Sequence, residues 1–404
     1  MPTYFYKARD MNGKPVQGIM EAPSAKRVVK KLRDRGYTPT KITENLYEFK
    51  VKSILDRFRK ISAEDMIMFN LQLANMINAG ITLLNSLNML YKKTENSKFK
   101  EVIGDVARNV EMGNSFSESL ARHPLVFSRL FVNMMKVAEA TGQMDTMLTR
   151  LAEFTEQQAD LREKIKGALF YPAILLCAGI VVTLFIVTFV IPQFSEIFIK
   201  SGIPLPWPTL MLYKTGMAIK SFWLWGVLFA GLTWLAFNYY IKTPVGRINF
   251  DKLKLRMPVL GGLHRKTVLA RFARTLGTLA AGGVPILQSL DITREVLDNE
   301  VLASVLADVR KGVEKGEKIV DRLKTSKEFP QDMVQMIDVG EETGKLDKML
   351  NKIADFYETA VAYAVKKLTT VLEPFFLVVM GGIIGAIMAS MLLPMFDMMK
   401  ILRR

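Results

Sequence analysis

Cysteine and histidine are nearly absent from this chain. One cysteine and two histidines among 404 residues rule out a disulfide framework and leave little from which to build a metal cluster. Cys177 lies within a charge-free run, and His123 and His264 stand far apart in loop-like contexts, where surface positions are expected. Catalytic signatures are missing as well: no Gly-x-Ser-x-Gly, His-Glu-x-x-His or Cys-x-x-Cys occurs. Gly340 to Lys345 only imitates a phosphate-binding loop, because its spacing is short and Leu346 stands where a magnesium-binding Ser or Thr belongs. These absences argue against an enzyme and against any cofactor or resident metal.

Charge is missing from three long runs, Gly167 to Ser195, Ser221 to Ile241 and Pro374 to Phe396. Each exceeds the ~20 residues that cross a bilayer as a helix. The expected spans are 168–192, 221–241 and 374–397, with a short periplasmic loop over 193–220. The charge-free runs hold no Asp, Glu, Lys, Arg or His, one of which an ion-coupled transporter would need at mid-membrane. None is N-terminal, so no cleavable signal peptide is expected.

Half of the residues are hydrophobic although 23% are charged, a mixture that suits polar domains joined to membrane helices. The net charge of +16 is concentrated beside the spans. Arg162, Lys164 and Lys166 precede the first, Lys252, Lys254 and Arg256 follow the second, and Lys366 and Lys367 precede the third. Positive flanks place both large polar segments in the cytosol. Such residues meet anionic lipid headgroups rather than nucleic acid, since no basic motif interleaved with aromatics occurs.

One stretch occurs twice. Val339-Gly340-Glu341-Glu342-Thr343-Gly344-Lys345-Leu346-Asp347 repeats Val137-Ala138-Glu139-Ala140-Thr141-Gly142-Gln143-Met144-Asp145 at an offset of 202. Gly142 and Gly344 can end a helix in the left-handed conformation, and Asp145 and Asp347 then fall in the first turn of the next. The apolar positions that follow (Met144, Leu148, Leu151, Phe154; Leu346, Leu350, Ile353, Phe356) form one helical face. A single copy would be an ordinary helical hairpin; recurrence at a fixed offset makes it an internal duplication. Acidic pairs drawn from Glu139, Asp145, Glu341, Glu342 and Asp347 suit helix capping or a domain-surface contact better than catalysis, because no nucleophile accompanies them.

In chain order, residues 1–45 are expected to form a small α+β module, with a hairpin turn at Asn12-Gly13, followed by a basic linker over 46–61. A helical bundle follows over 62–167, its first helix ended at Gly80. After a linker over 242–264, a second bundle over 265–373 reproduces the first: Phe272, Leu276, Gly283, Leu287 and Leu290 match Phe69, Leu73, Gly80, Leu84 and Leu87 at an offset of 203. Pro172 and Pro374, each near the start of a span, differ by 202, so the repeat includes its membrane helix. Equivalent domains can share the cytosol only if 221–241 returns the chain, with a tail over 398–404 outside. In the last span Gly381, Gly385 and Ala389 recur every four residues, a pattern that lets membrane helices pack closely. The expected fold is mainly α: two duplicated cytosolic helical bundles, three transmembrane helices and the small N-terminal module.

The paired Gly-Glu-x-Thr-Gly-x-Leu-Asp motifs, the Tyr171-Pro172 and Glu373-Pro374 approaches to membrane spans and the N-terminal strand–helix module resemble the type II secretion system protein F family. Its members are polytopic inner-membrane platform proteins of type IV pilus and type II secretion machines. Ala138, in place of the glycine found at Gly340, is a departure, and Met144 for Leu346 is a milder one. The resemblance implies a non-enzymatic role that couples a cytosolic hexameric assembly ATPase, and a retraction ATPase, to insertion of pilin or pseudopilin subunits into a fibre. It also implies other inner-membrane assembly proteins as partners and a homo-oligomer. The docking motif would comprise Glu139, Thr141, Gly142, Asp145, Gly340, Glu341, Thr343, Gly344 and Asp347. Arg162, Lys164, Lys166, Lys366 and Lys367 would hold the bundles against the headgroups. The wording of the second copy favours the pilus branch, with type II secretion or a DNA-uptake pseudopilus as the alternative within the family. A membrane-tethered signalling scaffold and a small-solute transporter are the readings outside it.

Overall fold

The computed structural model describes residues 3–9, 15–34, 36–44, 61–200, 204–258 and 260–402. The chain is mainly helical and folds into two compact units, Met1–Ser128 with Ala138–Thr149, and Arg129–Val137 with Arg150–Arg404.

The first unit opens with three strands, β1 (Thr3–Arg9), β2 (Pro15–Glu21) and β3 (Thr38–Glu44), in the order β2-β1-β3 with both pairings antiparallel. Helix α1 (Ala25–Asp34) lays Val28 and Leu32 against Tyr4 and Ala22. The expected Asn12-Gly13 turn and residues 46–60 of the expected linker lie outside the described residues. Helix α2 (Ala63–Asn78) begins with a capping box, in which the Ser62 hydroxyl accepts from Asp65 N–H and the Asp65 carboxylate accepts from Ser62 N–H. It ends at Gly80, where φ is +80° and Ile81 N–H donates to the Met76 carbonyl at 2.9 Å. Helices α3 (Leu83–Lys93), α4 (Ser97–Glu111) and α5 (Phe116–Ala121) follow. Phe69 is buried with its ring centroid 5.4 Å from Phe99 and 5.8 Å from Phe127. Helices α6 (Arg129–Thr141) and α7 (Met144–Phe185) each begin in one unit and end in the other.

The second unit contains the remaining helices. A π-helical turn, Ile186–Val190, joins α7 to α8 (Ile191–Lys200). Helix α9 (Trp207–Lys242) passes so close to this turn that a Cβ on Gly216 would collide with the Val187 carbonyl oxygen, so only glycine fits there. Thr243 caps α10 (Pro244–Arg256), which leads into α11 (Leu260–Ala281). Helices α12 (Ile286–Val296), α13 (Glu300–Glu314), α14 (Ile319–Leu323), α15 (Gln331–Glu342) and α16 (Leu346–Leu402) complete the chain. The core gathers Phe272, Leu276, Leu290, Leu302, Leu323, Phe329 and Leu350. Phe272 and Phe329 stand 5.2 Å apart at centroids, repeating the Phe69–Phe127 pair at the same offsets as the rest of the duplication.

Among the described residues, three helical stretches are long and apolar enough to cross a membrane: Met144–Lys200, Trp207–Lys242 and Leu346–Leu393. Each is longer than the charge-free run inside it, because polar residues continue a helix as readily as apolar ones once it has begun. Residues 193–220, expected as a loop, are therefore helical up to Lys200 and again from Trp207, with Pro208 in the first turn of α9, where its missing N–H costs no hydrogen bond. The expected linker 242–264 is largely α10 and the start of α11, and the helix of the last span runs on to Leu402 through most of the expected tail.

Candidate partner-docking site

The repeated motif is first of all a joint between helices. In the second copy α15 ends at Glu342, Gly344 takes φ +65°, and Lys345 N–H donates to the Gly340 carbonyl at 2.9 Å. Gly142 takes φ +70° at the matching place. Thr343 is exposed, and its hydroxyl donates back to the Val339 carbonyl at 2.6 Å. Thr141 is exposed too. Asp145 and Asp347 lie in the first turns of α7 and α16, where a carboxylate faces free N–H groups. A Cβ on Gly340 would meet Leu346 Cα and Met349 Cβ at 3.1 Å, a tight fit. The first copy accommodates the extra carbon in Ala138, which is fully buried.

The motif glutamate points inward, toward its own copy. Glu341 accepts hydrogen bonds from Ile319 N–H at 2.9 Å and Val320 N–H at 3.4 Å, at the start of α14. Glu139 accepts from Phe116 N–H, Ser117 N–H and the Ser117 hydroxyl, at the start of α5. The acceptors differ by 202 and the donors by 203, so one cap is built twice. A carboxylate suits the unsatisfied amides that begin a helix. Glu342, by contrast, is exposed and pairs with Lys318 at 3.1 Å, which raises the Lys318 pKa through that hydrogen bond.

A charged cluster that no local pattern announces sits on the second copy. Arg274 of α11, 5% exposed, donates to Glu358 at 2.9 Å through both Nε and Nη2, and to Asp355 at 2.5 Å. Burial pulls its pKa down, but the hydrogen bonds to Glu358 and Asp355 outweigh that, and the net shift is upward. Beside it lies a cleft of about 310 Å³ whose walls include Arg150, Glu153, Arg274, Asp347 and Asn351. Arg150 Nη1 is buried there without a hydrogen-bond partner among the described residues. In the first copy the positions equivalent to Arg274, Asp355 and Glu358 are Leu71, Glu153 and Glu156. Both glutamates are exposed, and neither makes an ion pair among the described residues. The only sequence signal was an arginine set among Phe272, Ala273, Leu276 and Leu279, and its partners lie 81 and 84 residues away.

Neither histidine is a free surface residue, as the loop-like contexts suggested. His123 Nε2 lies 3.0 Å from Asp105, and that hydrogen bond holds the Asp105 pKa below the usual carboxylate range. His264 is partly buried beside Asn299, at 3.4 Å, and burial, aided by the Lys254 charge, lowers its pKa. Both are drawn in by tertiary neighbours that their sequence contexts do not reveal.

Arg162, Lys164, Lys166, Lys366 and Lys367 are all exposed where α7 and α16 turn apolar. Gly381, Gly385 and Ala389 are exposed on α16, and no atom lies within 4 Å of a Cβ built on either glycine, so no helix of this chain packs there among the described residues. Gly80 and Gly283 both take positive φ at helix ends.

Residues 69–192 and 272–394 each match the family described as type II secretion system (T2SS), protein F, and residues 1–43 match its N-terminal domain. The chain is 39% identical to the type IV pilus assembly protein PilC of Thermus thermophilus, over 98% of both chains. It is 36% identical to the protein of that name from Myxococcus xanthus, over 98% of this chain and 94% of the relative. It is 34% identical to the type II secretion system protein F of Xanthomonas campestris, over 98% of this chain and 99% of that protein.

Proposed function

Because the chain belongs to the type II secretion system protein F family, we propose that it is the polytopic inner-membrane platform of a type IV pilus assembly machine, coupling a cytosolic hexameric ATPase to insertion of pilin subunits into the fibre. The observation that carries this reading is full-length likeness, across both copies and the N-terminal module, to proteins named for pilus assembly and type II secretion. The duplicated bundles supply two related polar faces for the motor, and the three apolar helices supply membrane surface for pilin helices. The bundles and the N-terminus face the cytosol, because the basic residues cluster on those sides of the spans. The role is mechanical and calls for no catalytic residue or cofactor.

Motor contact belongs to the exposed members of the motif and its surroundings: Thr141, Asp145, Thr343, and Glu153 and Glu156, which make no ion pair among the described residues. Glu139 and Glu341 are held by their own bundles, so substituting them tests folding before it tests docking. Deletion of the gene is expected to abolish surface fibres, and the tagged chain is expected to co-purify from membranes with an assembly ATPase. Charge reversal of Glu153 and Glu156 is expected to weaken that capture while the bundle stays folded. Fibres that persist in the deletion strain would sink the pilus reading. Fibres intact but secreted enzymes retained in the periplasm would move the chain to the type II secretion branch, to which the Xanthomonas campestris relative belongs by name.

A further inference from the structure

The two repeats meet where they approach the membrane. Leu161 of α7 is buried with Val361, Val365 and Leu368 of α16, and Ile165, Ala168 and Leu169 pack against them. Alongside this seam runs an open groove of about 540 Å³, with Lys164, Gly167, Ala168 and Tyr171 on one wall and Lys366, Thr369 and Thr370 on the other. Equivalent positions of the two helices line it. Lys164 and Lys366, Gly167 and Thr369, and Ala168 and Thr370 each differ by 202 residues.

The groove has the two properties that a lipid requires. Its walls are largely apolar, because the Thr369 and Thr370 hydroxyls are turned back onto the carbonyls of Val365 and Lys366. Its ammonium groups are available. Lys366 makes no ion pair among the described residues, and Lys164 has only an exposed partner four residues away, Asp160 at 2.6 Å. Exposed pairs of that kind exchange readily. The groove also lies at headgroup depth, since the charge-free runs begin at Gly167 and Pro374.

We propose that this groove binds an anionic phospholipid with two phosphates, of the cardiolipin type, each phosphate meeting one of the repeat-related lysines while acyl chains lie along Gly167, Ala168 and Val365. A ligand whose two halves are alike matches a site whose two walls are repeats of one another. Basic recesses between membrane helices on the cytoplasmic side suit such headgroups. The proposal rests on α7 and α16 crossing the bilayer and is independent of the platform role.

The test uses the whole chain, purified in detergent and stripped of lipid, then titrated with tetraoleoyl cardiolipin, phosphatidylglycerol or phosphatidylethanolamine and read by native mass spectrometry. Cardiolipin is expected to be retained over the other two. Lys164→Gln and Lys366→Gln should each weaken it about fivefold, and together about thirtyfold, as expected for one headgroup-range charge apiece. Gly167→Leu should displace the lipid with both lysines intact, and the open space around Gly167 lets the helix accept that side chain. Arg162→Gln with Lys367→Gln, outside the groove walls, should leave retention within about twofold, because that pair contributes only diffuse surface charge. Unchanged retention in the Lys164/Lys366 double variant would overturn the proposal. So would equal loss in the Arg162/Lys367 control, or displacement of the lipid by millimolar inorganic phosphate.

Discussion

At the residue scale, the motif glutamate is the most informative side chain. Glu341 satisfies the first two amides of α14, and Glu139 satisfies their counterparts in α5. Glu341→Ala leaves partly buried donors without an acceptor, a loss of about 1–3 kcal/mol. Thermal unfolding of the purified chain should therefore show a lowered midpoint, with Glu341→Gln intermediate because one acceptor oxygen survives. An unchanged midpoint for the alanine variant would remove the capping role. His264 supports a prediction about pH. Burial lowers its folded pKa, so the unfolded chain binds more protons once the pH falls below about 6.5. Stability should accordingly drop as the pH falls through that value, and the drop should end below the folded pKa. His264→Gln should flatten the dependence between pH 7.5 and about 5.5, the window in which an ordinary histidine titrates. A wild-type slope retained in the variant would assign the titration to another group.

At the element scale, the duplicated long helices differ in how they are anchored. Helix α16 is tied to α11 by Arg274, whose guanidinium is enclosed, whereas the Asp355 side chain is 68% exposed. Removal of the acids strands a buried charge; removal of the arginine frees carboxylates that water can reach. Asp355→Asn with Glu358→Gln should therefore cost about 3 kcal/mol or more, and Arg274→Met distinctly less. Urea or thermal unfolding of the three proteins checks the order, and a larger loss for Arg274→Met would refute this account of the cluster. The first copy places Leu71 at the equivalent position and leaves Glu153 and Glu156 exposed. Duplication has thus preserved the core pair Phe69–Phe127 as Phe272–Phe329 while letting the polar anchoring diverge. A close-packed aromatic pair tolerates little change, whereas a polar contact near the surface can be exchanged for solvent.

At the scale of the whole molecule, the two related bundles can share one side of the membrane only if an even number of crossings separates them, so that α9 reverses the crossing made by the apolar helix before it. A topology prediction follows. In a Cys177→Ser background, Leu205→Cys, between α8 and α9, should react with a membrane-impermeant maleimide in intact spheroplasts. Met112→Cys and Lys315→Cys, exposed on the first and second copies, should react only after lysis. Labelling of Met112→Cys from outside would invert the arrangement, and labelling of only one of the two bundles would break the duplication-based topology.

The duplication, the helix breaks at Gly80, Gly142, Gly283 and Gly344, and the three spans were legible in the sequence because each depends on local chemistry. Positive φ selects glycine, a 3.6-residue period marks a buried face, and a bilayer excludes charge over a fixed length. The tertiary structure alone decided where the motif glutamates point, which acids enclose Arg274, and that His264 is half buried. It also decided that helix continues through most of 193–220, since the ends of a helix depend on what it packs against as much as on its composition. Those features join residues from about twenty to more than eighty positions apart. The energy of such a contact depends on burial and partner geometry, which no spacing along the chain encodes.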